Sequence, residues 1–300
     1  MKPHSTSTAG RGAERLPPWF RVGLSVNGRS TLLRNRLRDL RLRTVCEGAA
    51  CPNRNECWNA GTATFLILGD RCTRSCMFCN IPSGETRTVD QDEPRRIADA
   101  VVVMGLAYAV VTSVTRDDLP DGGAGAFAGT IGAVRRRSPE CRVEVLIPDF
   151  QGSRASLEAV LDAGPHVVNH NVETVPSLYS RVRPGADYGR SLRLLERAKQ
   201  RGFVTKSGMM LGLGEEVGEV RSVLQDLRSV GCDILTIGQY LRPSPRNLPV
   251  ERYYRPEEFG SLRNEALDLG FRRVAAGPLV RSSYHAARYG SEQATGERDL

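Results

Sequence analysis

The sequence predicts an α/β fold in which a parallel sheet curls into a barrel or partial barrel. Three observations carry this. Short apolar runs alternate with longer helix-like segments from residue 62 to about 276. Proline and glycine punctuate those segments where helices start and stop. Polar residues gather at or just past the ends of the apolar runs. Repeated strand-then-helix units imply parallel strands joined by crossovers, and six units in one run favour a barrel over a two-layer sandwich.

Residues 1–18 are polar and rich in Ser, Thr, Gly and Pro, the composition of a mobile tail. Residues 32–44 (LLRNRLRDLRLRT) put Leu32, Leu33, Leu37 and Leu40 at helical spacing with Arg on other positions. This predicts a basic amphipathic helix, either a solvated surface or a docking face for an acidic partner. Strands are predicted over 64–68, 108–112, 142–147, 166–171, 203–210 and 233–237, with an extra one over 271–275. Helices are predicted over 94–105, 123–137, 153–163, 187–200, 217–230 and 256–269. Pro94 and Pro256 suit first helical turns, and Gly105, Gly202, Gly231 and Gly270 suit helix ends. Thr112, Ser113, residues 169–173, Lys206, Ser207 and Gln239 fall at or past strand ends, where a barrel collects its chemistry. Residues 289–300 are polar and read as a second loose end.

A hydrophobic content of 40% with 25% charged residues in 300 is the balance of a soluble globular chain with a sizeable core. The longest nearly uncharged apolar stretch, 100–111, is 12 residues, short of the roughly 18 to 20 that span a bilayer. Residues 1–18 hold no apolar core of a signal peptide. These features predict a cytoplasmic protein with no membrane partner. The net charge of +8 comes from 39 Arg and three Lys against 34 acidic residues, and basicity alone is weak evidence for nucleic acid.

The cysteines say more. Six of the eight fall into two triplets, Cys46, Cys51, Cys57 and Cys72, Cys76, Cys79. A disulfide framework suits small secreted domains rather than a long chain without an export signal. Cys141 and Cys232 begin apolar runs and read as buried, inert thiols. Cys72-Thr-Arg-Ser-Cys76-Met-Phe-Cys79 follows the first strand, so one loop can wrap three thiolates around a small inorganic core. Zinc competes for such a loop, but a structural zinc site closes with four ligands, usually from paired Cys-x2-Cys hooks. Three cysteines with no fourth nearby suit a four-iron cluster with one open iron.

The C-x3-C-x2-C loop, with Phe78 before its third cysteine, resembles the radical S-adenosylmethionine (SAM) superfamily. That resemblance implies a partial (β/α)6 barrel of the TIM type with N-terminal and C-terminal extensions. It also implies a 4Fe-4S cluster whose open iron chelates SAM and whose electron cleaves SAM to a 5'-deoxyadenosyl radical. The second triplet, C-x4-C-x5-C from Cys46 to Cys57, again leaves one cluster position unfilled. Together with VVTSVTRDDLPDGGA, NHNVETVPSLY, VRPGADY, KSGMMLGLGE and RSSYHA, it resembles the lipoyl synthase family over roughly residues 40 to 288. Thr115 departs from that pattern, which carries an acidic residue there, and Asn247 stands where it carries His.

The family resemblance implies insertion of two sulfur atoms at C6 and C8 of a protein-bound N6-octanoyl-lysine. Such unactivated carbons lie beyond any side-chain base, because those bases work within a few units of neutrality. It implies two 4Fe-4S clusters, one held by Cys72, Cys76 and Cys79 and a sacrificial auxiliary one held by Cys46, Cys51, Cys57 and a serine of RSSY. That serine is Ser283, with Ser282 as its neighbour, and it is the catalytic choice because alkoxide binds iron less well than thiolate and leaves one labile corner. For SAM the candidates are Asn171 and Glu173, with Lys206 behind them; alternatively Glu173 and Lys206 pair across the barrel mouth. The implied partners are octanoylated lipoyl domains of 2-oxoacid dehydrogenase E2 subunits, the glycine cleavage H protein, and a reductant such as ferredoxin or flavodoxin, with no nucleic acid. The expected organisation is a tail over 1–18, an extension over 19–61, a barrel over 62–276 and a C-terminal extension over 277–300. A zinc-stabilised, Arg-rich nucleic-acid module and another radical SAM sulfur enzyme, such as a biotin synthase or a methylthiotransferase, are the competing classes.

Overall fold

A computed structural model describes residues 16–20, 28–48, 51–59 and 62–290. Among the described residues, one eight-stranded sheet runs in chain order: β1 (Arg43–Thr44), β2 (Thr62–Ile67), β3 (Tyr108–Ser113), β4 (Arg142–Leu146), β5 (Val167–Asn169), β6 (Val204–Leu211), β7 (Ile234–Gln239) and β8 (Arg273–Gly277). From β2 to β8 every pairing is parallel, while β1 lies antiparallel on β2 with Arg43 opposite Leu66. Six strand-then-helix units, β2 to β7, precede β8, which matches the radical SAM type of partial barrel.

The crossover helices are Glu93–Met104, Ala124–Arg137, Arg154–Asp162, Tyr188–Gln200, Val217–Ser229 and Pro256–Asp268. Each lies within a few residues of its predicted span, because proline, capping side chains and left-handed glycines fix the ends. Pro256 opens its helix, Ser153 and Asp187 cap the first turns of theirs, and Gly105 closes Glu93–Met104 at φ 59°. β2 is buried along its whole length, as a strand covered on both faces must be. Phe65 and Ile67, both 0% exposed, each contribute about 2 kcal/mol by removing apolar area from water.

The N-terminal extension differs from the sequence reading. The basic helix spans Gly28–Asp39, not 32–44. Arg41 takes a left-handed φ of 52°, and the chain then enters β1. Strand pairing to β2 outweighs the leucine periodicity there. Leu33 and Leu37 are buried while Arg36, Arg38 and Arg41 face solvent, and Arg34 lies 3.5 Å from Glu47. Of the two expected tails, residues 1–15 and 291–300 lie outside the described residues.

At the other end of the chain, Ala286 packs on Tyr108 and Val110, on the same face of β3 as Thr112. Among the described residues, no helix is long and apolar enough to cross a membrane.

Candidate active site

Cys72, Cys76 and Cys79 lie on the loop after β2, at the carboxyl end of the sheet. That loop has little secondary structure, so side chains from the barrel hold it. Arg74, between the first two cysteines, donates to Asp117 Oδ2 and to Asp149 Oδ1, each at 2.6 Å. Met77 N–H donates to the Val182 carbonyl at 2.9 Å. Asn247 Nδ2 donates to the carbonyls of Met77 at 3.2 Å and Cys79 at 2.9 Å, so this departure from the family pattern clasps the cysteine loop. Backbone N–H groups of Arg74 and Thr115 point at Cys72 Sγ at 3.4 and 3.3 Å, and that of Ile81 at Cys79 Sγ at 3.4 Å. Hydrogen bonds of this kind tune the potential of a cluster held by the sulfurs.

In the second triplet, Cys46 and Cys57 lie on two short helices, Val45–Gly48 and Arg54–Asn59, packed against β2, and Cys51 lies in the connection between them. Burial pushes the thiols of Cys57 and Cys79 up to about 12 and also raises those of Cys46 and Cys76. Burial thus favours the protonated form of these four thiols, and binding of metal displaces their protons. All eight cysteines are free, and Cys141 and Cys232 are buried as expected. Among the described residues, no three His, Cys, Asp or Glu side chains form a site for a single metal ion.

Both triplets, together with Ser282 and Ser283, line one cavity of about 560 Å³. Asn171 and Glu173 line it too, just past the end of β5. Glu173 has a left-handed φ of 66°, a strained state for a non-glycine residue and one that clusters at functional sites. Its backbone is pinned to β6, donating to the Gly208 carbonyl at 3.0 Å and accepting from Met210 N–H at 2.8 Å. A Cβ on Gly208 would lie 2.9 Å from Asn171 Oδ1, so only glycine lets Asn171 lean over the sheet there. Asn171 Nδ2 donates to Glu173 Oε1 at 3.1 Å. Burial raises the Glu173 carboxyl, and the charge of Arg183 pulls it back.

Lys206 is not at the mouth. It is the third residue of the eight-residue β6, and its ammonium donates to Glu144 Oε1 at 2.8 Å in the barrel interior. Lys206, a candidate for SAM, is not among the residues that line the cavity, and the alternative Glu173–Lys206 pair is replaced by this one, because in the observed register Lys206 lies level with Asn169, well before the carboxyl end of its strand.

The comparisons follow from this geometry. Residues 66–227 match the radical SAM superfamily. Solved structures share the fold: SuiB of Streptococcus suis bound to its precursor peptide SuiA has a TM-score of 0.58 at 10% identity, covering 82% of this chain and 52% of that one. Methylornithine synthase (PylB) gives 0.52 at 14% identity, covering 82% and 81%. A lipoyl synthase of Mycobacterium leprae (strain Br4923) is 54% identical over 287 residues, 96% of this chain and 91% of that one. The chain belongs to the lipoyl synthase family. A lipoyl synthase of Rubrobacter xylanophilus is likewise 54% identical over 278 residues, 92% of this chain and 87% of that one.

As a radical SAM enzyme of the lipoyl synthase family, the chain uses a 4Fe-4S cluster and SAM. The cavity suits a polar ligand. Asn171 Oδ1, Ser113 Oγ and Arg183 Nε are buried without a hydrogen-bond partner, and all three residues line it. Sequence reasoning missed Arg74, Arg183, Asp149 and Arg281. Arg183 sits in VRPGADY, stacks on Tyr179 and donates to the carbonyls of Asn171 and Val172. Its charge favours the thiolate of Cys76, and that of Arg281 interacts with Cys51. The position of Arg74 between two cysteines was the available signal; Asp149 gave none, because its partner lies 75 residues away.

Proposed function

We propose that this chain makes lipoyl-lysine with two clusters, one on each cysteine triplet, and that the auxiliary cluster is consumed as the sulfur donor. The observation that carries this reading is the convergence of both triplets and Ser283 on one cavity. Cys72, Cys76 and Cys79 hold the barrel cluster, and Arg74, Asp149 and Asn247 fix the loop that presents them. When bound, that cluster supplies the electron that cleaves SAM. Asn171 and Glu173 orient SAM, the carboxylate by accepting from ribose hydroxyls and the amide through its unpartnered oxygen. Arg183 keeps positive charge beside them. Lys206 has no part in this binding.

Cys46, Cys51, Cys57 and Ser283 hold the auxiliary cluster, which is a substrate: its sulfur ends on C6 and C8 of the octanoyl chain. One SAM is spent for each hydrogen removed from those carbons. The apolar wall given by Leu146, Ile147, Met209 and Val280 keeps water and other hydrogen donors from the octanoyl chain. The substrate is an octanoylated carrier protein, here assigned to E2 lipoyl domains and the glycine cleavage H protein, with ferredoxin or flavodoxin as reductant in a cytoplasmic setting.

Anaerobic preparation followed by iron and sulfide analysis is expected to give about eight irons per chain. Enzyme rebuilt with heavy sulfide is then expected to pass label into both product positions and to stop near one turnover. Unlabelled product over many turnovers, with no cluster repair present, overturns the sacrificial reading.

A further inference from the structure

The helix that carries Cys57 is clasped to the C-terminal segment by a contact outside both ligand sets. Glu56 Oε1 accepts from Tyr284 Oη at 3.1 Å and lies 2.9 Å from His285 Nε2. The two rings meet edge to face, 4.1 Å between centroids. Three residues before Glu56, Asn53 Nδ2 donates to the Leu279 carbonyl at 2.6 Å. Ser282 and Ser283 therefore lie between two tethers, at 279 and at 284–285, both anchored on one short stretch of the N-terminal extension.

The segment is a run of turns, with Tyr284 N–H donating to the Arg281 carbonyl at 2.9 Å, and its far end is strained. His285 takes a left-handed φ of 47°, and regular helix begins only at Ala286. The Val280 carbonyl crosses β7 so closely that a Cβ on Gly238 would lie 2.1 Å from it. The crossing locates the start of the segment, and Glu56 locates its end.

We propose that Glu56 is a positioning residue for Ser283: by holding Tyr284 and His285 it keeps the serine on the cavity wall beside Cys46, Cys51 and Cys57. This rests on the reading of Ser283 as the fourth auxiliary ligand. Glu56 and His285 are 50% and 33% exposed, so water competes for the clasp. A clasp of that exposure is weak enough to open, and it sets how readily the serine leaves.

The test uses full-length enzyme carrying both clusters, challenged anaerobically with a ferrous-iron chelator. Glu56→Ala is expected to speed loss of the auxiliary iron about three- to tenfold. Glu56→Gln, which keeps size and an oxygen for Tyr284, falls between Glu56→Ala and the unmodified enzyme. Adding Glu56→Ala to Ser283→Ala speeds the loss no further than Ser283→Ala alone, because both act through one ligand. Deoxyadenosine formation, which depends on the other cysteine set, reports that the barrel is folded. An unchanged rate in Glu56→Ala, or effects of the two substitutions that simply multiply, overturns the proposal. An unchanged rate in Ser283→Ala overturns the ligand assignment itself, and the proposal with it.

Discussion

Lys206 Nζ lies 2.8 Å from Glu144 Oε1 inside the barrel, with the two side chains 1% and 0% exposed. The other carboxylate oxygen accepts from Tyr108 Oη at 2.8 Å, and Asn169 Nδ2 donates to Oε1 at 3.1 Å. Three polar side chains from neighbouring strands thus donate to Glu144 where water does not reach, while Asn169 Oδ1 is buried without a partner.

Removing one partner of such a pair strands a charge in the interior. Lys206→Met is expected to destabilise the fold by about 3 to 5 kcal/mol, whereas Lys206→Met with Glu144→Gln, which removes the stranded charge and keeps an oxygen for the buried donors of Tyr108 and Asn169, recovers part of the loss. Urea unfolding measures both. SAM affinity of the double variant is expected to stay near that of the unmodified chain; a large loss there returns Lys206 to the binding site.

The two cysteine sets separate by product. Cys72→Ala, Cys76→Ala or Cys79→Ala is expected to abolish 5'-deoxyadenosine and sulfur insertion together. Cys46→Ala, Cys51→Ala or Cys57→Ala is expected to leave deoxyadenosine formation while thiolated carrier disappears. Mass spectrometry of nucleoside and carrier distinguishes the patterns, and identical losses from both sets contradict the division of labour.

Asp149 provides a pH test. Burial acts to raise its carboxyl, but the hydrogen bonds and charge of Arg74 outweigh that and hold it at about 2. A carboxylate depressed in the folded state stabilises above its unfolded value near 4 and loses that contribution as pH falls toward 2. The contribution is about 2 kcal/mol. In urea unfolding of the cluster-free chain, Asp149→Asn is therefore expected to lower stability at pH 5 and to narrow the gap to the unmodified chain by pH 2. A gap independent of pH contradicts the assignment.

The helix Gly28–Asp39 gives a salt test. Arg38 and Arg41 face solvent beside Arg34. If they steer an acidic carrier, the rate with octanoylated carrier at low concentration falls several-fold between about 0.05 and 0.5 M salt, and an octanoyl-lysine peptide shows no such fall. Replacing Arg34, Arg38 and Arg41 with Gln is expected to flatten the dependence. Equal salt responses from carrier and peptide exclude this face.

The chain's own residues, read in order, determined the six strand-helix units and the two cysteine triplets. Apolar periodicity, helix stops such as Gly105 and the spacing from Cys72 to Cys79 act over a few residues, so they are written locally. Tertiary structure alone decided the depth of Lys206. A strand's polar residue lies at the mouth or in the floor according to the register of its neighbours, and here Lys206 lies level with Asn169 and Ile234. It also decided that residues 43–44 form a strand, that Arg74 meets Asp149 across 75 residues, and that Glu56 meets His285 across 229. Each of those contacts joins segments that chain proximity does not bring together. Their partners are set by how the barrel curls, because side chains so far apart in sequence meet only after the core between them has packed.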